Sequence, residues 1–291
     1  MFREFARDEL FDSMLYAEMA NRAKNEETRK ALLTMSQQER SHYEFWRKYA
    51  GDIKITFKDR IMLKIYLFMG RILGTVFTVK FLERREGDTS NIYRRILEEG
   101  KIREEDEDVL KRIIEEEEVH ENYFVSQVDE FALRYLGAIA LGIADAIIEL
   151  TGVQAGFIGF TGSSVVTGIA GLIVGVSASM SMAAAAYLQA KQERGKKPAV
   201  TALTTGIAYL FTVIALTVPY FVNFQLLMAF SASLTLALVI LAFFSFYSSV
   251  IFDRKFLSDY LENMGIIFLV VAIGYFFGNL VKNFFGIELF V

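Results

Sequence analysis

Charge is confined to one end of this 291-residue chain. Residues 1–130 hold 23 of its 31 Lys/Arg and 28 of its 35 Asp/Glu, and the remaining 161 residues hold eight and seven. One soluble core cannot absorb such a division. From Phe131 onward the apolar stretches are long enough to cross a hydrocarbon layer of about 30 Å. Five spans are predicted, roughly 133–157, 165–188, 199–222, 226–251 and 264–286. The expectation is a charged domain over 1–130 followed by a membrane domain over 131–291.

The bases between the spans set an orientation. Arg134, the cluster Lys191, Arg194, Lys196 and Lys197, and the pair Arg254 and Lys255 all fall on one side of a five-span topology. Such residues mark the cytoplasmic face. The N-terminal domain is then cytoplasmic and the C-terminus lies on the opposite side. Asp145 and Glu149, one turn apart in GIADAIIELTG, sit well inside the first span. A carboxylate at that depth is costly, so it is expected to face a cavity, a partner or a transport path; the competing reading is a helix contact. The second span is rich in Gly, Ala and Ser, which favours close helix packing. Its Met180 and Met182 are either core filler or soft thioether ligands.

The charged domain contains the chain's two histidines, and each follows a glutamate by three residues: Glu39-Arg-Ser-His42 and Glu117-Glu-Val-His120. Positions i and i+3 share a helix face. The surroundings repeat as well. Glu9 precedes Tyr16 by seven residues and Tyr16 precedes Lys24 by eight; Glu86, Tyr93 and Lys101 keep the same spacings. Helices are predicted over about 4–25, 26–50, 59–85 with a more polar continuation to about 100, and 104–130. A break is expected near Gly87. Four helices with one long crossover form a ferritin-like bundle, making the whole chain all-α, with a ferritin-like four-helix bundle followed by five transmembrane helices.

Glu9, Glu39, His42, Glu86, Glu117 and His120 would supply four carboxylates and two imidazoles, a set that balances two divalent irons. Glu83, one turn before Glu86, is a possible seventh ligand or supply carboxylate. Tyr16 and Tyr93 are expected to pack or hydrogen-bond beside the centre. With no cysteine, disulfides, iron–sulfur clusters and thiol chemistry are excluded. No concentrated basic face points to nucleic acid. The charged, amphipathic start MFREFARDELFDS does not read as a signal peptide.

On Glu9, Glu39-x-x-His42, Glu83, Glu86 and Glu117-x-x-His120, residues 1–130 resemble the rubrerythrin/ferritin-like diiron domains, with Glu83 matching the additional glutamate of rubrerythrins. On GIADAIIELTGVQAG and SMSMAAAAYL, and more loosely on Pro219 and IGYFFG, the second half resembles the vacuolar iron transporter family. The fusion is similar to membrane-bound ferritins that export iron. Two positions depart from the transporter pattern: Ala146 stands where that family usually has Gly, and Ala186 where it usually has Glu.

The resemblance implies a homodimer that exports Fe(II) from the cytoplasm, with the bundle as capture domain and Asp145 and Met182 on the path; Glu149 is added from its place one turn away. Carboxylate ligands suit exchange against protons, and Mn(II) suits the same donors. Two other readings stay open: a membrane-anchored ferroxidase or peroxide-reducing diiron enzyme, and a metal sensor.

Overall fold

The computed structural model of the chain describes residues 1–86, 89–127, 131–193, 196–222 and 225–285, without the side chains of 85–86, 119–127 and 131–133. Among the described residues every regular element is helical. The chain divides into two compact units, Met1–Leu133 and Arg134–Val291.

In the first unit, α1 (Phe2–Arg22) and α2 (Glu26–Ala50) pack against each other along their lengths. The Asn25 side chain accepts the Glu27 N–H at 2.8 Å and so caps α2. Glu26 and Glu27 in its first turn, with Arg47 and Lys48 in its last, complement the helix dipole. Gly51, at φ +74°, ends it. A reciprocal Thr56–Asp59 capping box then opens α3 (Phe57–Leu73).

One continuous helix was expected over 59–85. Instead the chain breaks at Gly74, whose φ of +97° is open to glycine and strained for other residues. The next helix, α4 (Thr75–Glu86), restarts with both the N–H and the hydroxyl of Thr78 donating to the Gly74 carbonyl. The expected break at Gly87 lies outside the described residues, and α5 (Thr89–Glu98) follows. A 3₁₀ turn at Glu104–Asp106 leads into α6 (Glu107–Gln127).

An aromatic cluster closes one end of this bundle. Trp46 is fully buried, with the Tyr93 ring 4.8 Å and the Phe5 ring 5.1 Å from its own. Ala6, Phe45, Leu110 and Ile113 complete the cluster. Each large side chain taken out of water here contributes roughly 1.5–3 kcal/mol. Beside it the buried Asp106 carboxylate accepts from Lys48 Nζ (2.9 Å), the Tyr49 hydroxyl (2.5 Å) and Arg103 Nη2 (2.8 Å). This joins the end of α2 to the start of α6.

The second unit contains five helices long and apolar enough to cross a membrane: Arg134–Phe160 within α7 (Phe131–Phe160), α8 (Ser164–Gln192), Pro198–Phe221 including α9 (Pro198–Thr217), α10 (Leu226–Ile251) and α11 (Phe256–Phe285). The last begins eight residues earlier than its apolar run, because FLSDYLEN is already helical. Small residues let backbones meet. A Cβ on Gly278 would collide with the Gly156 carbonyl oxygen, and one on Gly274 with that of Gly152.

Pro219 has no N–H to donate, and α9 gives way there to a 3₁₀ turn over Val218–Phe221. The nearby Leu216 carbonyl is satisfied from two other helices: Gln154 Nε2 donates to it at 3.1 Å and Ser233 Oγ at 2.7 Å. Gln154 and Ser233 are both fully buried, so this junction ties α7, α9 and α10 together in an apolar setting.

Candidate metal centre

Three helices of the first unit aim acid and imidazole groups at one point. Glu9 comes from α1, Glu39 and His42 from α2, and Glu117 from α6; one ligand atom of each lies within 4.8 Å of the others. His42 is completely buried, and Glu9 and Glu39 are 5% and 4% exposed. From His42 Nδ1 the distances are 2.9 Å to Glu117 Oε1, 3.4 Å to Glu9 Oε2 and 3.6 Å to Glu39 Oε2. The other ring nitrogen, Nε2, lies 2.9 Å from Glu116 Oε2. An ionised carboxylate can only accept, so Nε2 donates to Glu116; Nδ1, equally close to Glu117, carries a proton in the charged imidazole, and a bound metal would take the place of that Nδ1 proton.

The electrostatics follow from this packing. Burial raises the Glu9 carboxyl well above its ordinary range, and the charges of Glu117 and Glu39 add to that while His42 opposes it. For His42, burial acts to lower the pKa; the surrounding Glu117, Glu39 and Glu9 outweigh it and hold the imidazole strongly toward its charged form. Among the described residues one imidazole stands among these carboxylates, an arrangement that calls for positive charge at its centre.

A divalent cation meets that requirement, and the donor set of oxygen and imidazole nitrogen suits iron or manganese. Glu9, Glu39, His42 and Glu117 would hold it, with Glu116 fixing the tautomer that leaves Nδ1 to ligate. Bound iron would supply Lewis-acid and one-electron chemistry at this point.

Tyrosines hydrogen-bond two of the predicted glutamates, one inside this cluster and one outside it. The Tyr93 hydroxyl donates to Glu9 Oε1 at 2.5 Å, and the Tyr16 hydroxyl donates to Glu83 Oε1 at 2.8 Å. Burial, then the charges of Glu9 and Glu117, push the Tyr93 phenol up, so it remains a donor. A cavity of about 450 Å³ reaches Glu9, Tyr93 and Glu117, its walls including Asp8, Asp12, Asp59, Met62 and Tyr66.

Of the predicted bundle residues, the structure thus gathers Glu9, Glu39, His42 and Glu117. Glu83 is half-buried on Tyr16. The side chains of Glu86 and His120 lie outside the described residues. Glu116 was not anticipated: it stands in a run of four glutamates, Glu115–Glu118, and nothing in the run distinguishes it.

Residues 6–127 match the Rubrerythrin family. The bundle is a rubrerythrin domain of the ferritin-like diiron type. The match stops before the apolar helices, and comparison with curated proteins and with solved structures gives no match.

In the second unit Asp145 and Glu149 are half-buried one turn apart on α7. The Tyr209 hydroxyl of α9 donates to Glu149, a partner the sequence gave no reason to select. Met182 is half-buried against the cluster of Ile147, Leu150 and Tyr209, whereas Met180 is 70% exposed. Residues two apart on a helix point to nearly opposite sides, so the two thioethers do not share a face of α8.

Proposed function

We propose that this chain carries Fe(II) from the cytoplasm across a membrane, the rubrerythrin domain capturing the ion and the apolar unit conducting it. The observation that carries the reading is a pairing within one chain. A Glu9/Glu39/His42/Glu117 cluster, buried except for the half-buried Glu117, precedes membrane-length helices of which one bears two carboxylates, Asp145 and Glu149, away from its ends. A cavity whose wall holds more acids than bases, Arg7 and Lys58 being its two cations, leads to Glu9 and Glu117 of the bundle cluster. Within the apolar unit, Asp145 and Glu149 of α7 and Met182 of α8 form the stations of the path, and Met180 adds a soft contact from a second copy.

A homodimer fits this route. Met180 is exposed on one side of α8 together with Ser177, Ser181, Ile173 and Val176, a strip that mixes small polar and apolar groups and that a second copy would cover. The Lys/Arg asymmetry supports a cytoplasmic rubrerythrin domain with the C-terminus on the opposite side. Carboxylate stations release a cation on protonation, which makes proton exchange the natural driving reaction, and Mn(II) fits the same donors.

The buried centre of a diiron-type domain also favours a second reading, a membrane-anchored iron oxidase or peroxide-reducing enzyme; a sensor that gates flux is a third. Flux of Fe(II) and Mn(II) into vesicles holding the purified chain, with and without a pH gradient, separates them. Transport predicts metal uptake that follows the gradient. Oxidation of Fe(II) without uptake of either ion would overturn it in favour of the enzyme.

A further inference from the structure

Helix α3 has an apolar side turned outward. Phe57 is 79% exposed, Ile61 44%, Ile65 50%, Phe68 64% and Ile72 62%. Their spacings of four, four, three and four residues place them on one stripe, about 22 Å long at 1.5 Å per residue. Elsewhere in the described part of this unit, the large apolar side chains of comparable exposure, Met1, Met14, Leu33 and Ile92, are scattered. Scattered exposure is ordinary, but a contiguous stripe marks an interaction surface.

The charges beside the stripe define the partner. Lys58, Arg60, Lys64 and Arg71 are exposed along α3, and its single acid, Asp59, is engaged with Thr56 in the helix cap. The helix therefore carries a surplus of three positive charges in a domain that is otherwise acidic, with 23 bases against 28 acids over residues 1–130.

A two-fold dimer through α3 would set four cations against the same four on the second copy. An anionic lipid surface accepts both components: Phe and Ile side chains enter the acyl boundary while Lys and Arg pair with headgroup phosphates. In the sequence only residues 128–130 lie between α6 and α7, so any membrane that the apolar unit spans is present to the domain at high effective concentration.

We propose that α3 is a membrane-surface helix, docking the rubrerythrin domain on anionic lipid through Phe57, Ile61, Ile65, Phe68 and Ile72. Its opposite side has a second task. Asp59, Met62 and Tyr66 of α3 line the cavity that reaches Glu9 and Glu117, so lipid contact steadies one wall of the approach to the metal centre. The inference does not depend on transport, because an anchored enzyme would dock in the same way.

The chain has no cysteine, so a single nitroxide can be attached at Phe68→Cys, at Ile65→Cys, or at Lys30→Cys as an exposed control on α2. Full-length protein would be placed in vesicles of phosphatidylcholine alone or mixed with phosphatidylglycerol. In the anionic vesicles, labels at 65 and 68 should become several-fold more accessible to oxygen relative to an aqueous nickel chelate, with 30 unchanged. Lys64→Glu/Arg71→Glu should reverse the gain. Labels at 65 and 68 that stay open to the nickel chelate in both vesicle types would overturn the proposal. So would strong dipolar broadening between labels on two copies, which would assign the stripe to a protein contact.

Discussion

His42 of α2 and Glu116 of α6 meet across the bundle, Nε2 to Oε2 at 2.9 Å, although 74 residues separate them. The contact turns Nδ1 toward Glu9, Glu39 and Glu117 and keeps the Nε2 proton on Glu116, so that a metal would take the place of the proton on Nδ1. Glu116 is thus a positioning residue. Such partners typically change metal affinity by about 10–100-fold. Glu116→Ala is expected to weaken Fe(II) or Mn(II) binding to the full chain by about that factor, read by titration calorimetry, while Glu116→Gln retains an acceptor and recovers most of it. Unchanged affinity in the alanine variant would remove Glu116 from the centre.

The grouping of Glu9, Glu39, His42 and Glu117 was legible because helical spacing alone brings Glu39 and His42 onto one face and the internal repeat points to Glu117. Glu116 was not, since the run Glu115–Glu118 presents four like residues and only the azimuth of α6 about its axis selects one. The same distinction applies to the fold. The ends of α2 were readable because Asn25 and Gly51 are its cap residues. The break at Gly74 was hidden, because Gly70 four residues earlier is helical and sequence does not say which glycine bends the chain. The start of α11 was missed because Asp259 and Glu262 in its first turns read as loop.

Asp106 makes the bundle sensitive to acid. Bonds from Tyr49 and Lys48, then Arg103, outweigh its burial and push the carboxyl down to about 2. The unfolded value is about 3.9. A depressed folded pKa stabilises above the unfolded value, and that stabilisation is lost as pH falls through about 4 toward 2. Asp106→Asn should cost about 2 kcal/mol near neutral pH. In denaturant melts the gap between wild type and variant should hold steady above about pH 5 and narrow below it. A gap that widens on acidification would contradict this sign.

The contact of α7 with α11 rests on bare backbone. A methyl at Gly278 has no room against the Gly156 carbonyl, whereas one at Gly137 meets nothing within 4 Å. Gly278→Ala should destabilise the apolar unit by about 1–3 kcal/mol through overpacking. Gly137→Ala should be neutral or slightly stabilising, since alanine is the better helix former. Thermal unfolding in detergent compares the two directly. Equal melting temperatures would mean that the helices do not approach at Gly278.

Asp145 distinguishes a conducting unit from an anchor. It is half-buried, one turn before a glutamate that accepts from Tyr209, within a helix of membrane length. Keeping one charge at such depth costs several kcal/mol on insertion scales. A passing cation offsets that cost; a passive anchor gains nothing from it. Asp145→Asn preserves size and hydrogen-bonding capacity and removes the charge. For a transporter, Fe(II) flux into vesicles should fall by an order of magnitude or more, with metal binding at the Glu9, Glu39, His42 and Glu117 cluster unchanged in the same preparation. The variant should also be no less stable than wild type, since a buried charge is removed from an apolar setting. Flux at the wild-type rate, in protein with intact melting and metal binding, would take Asp145 off the path.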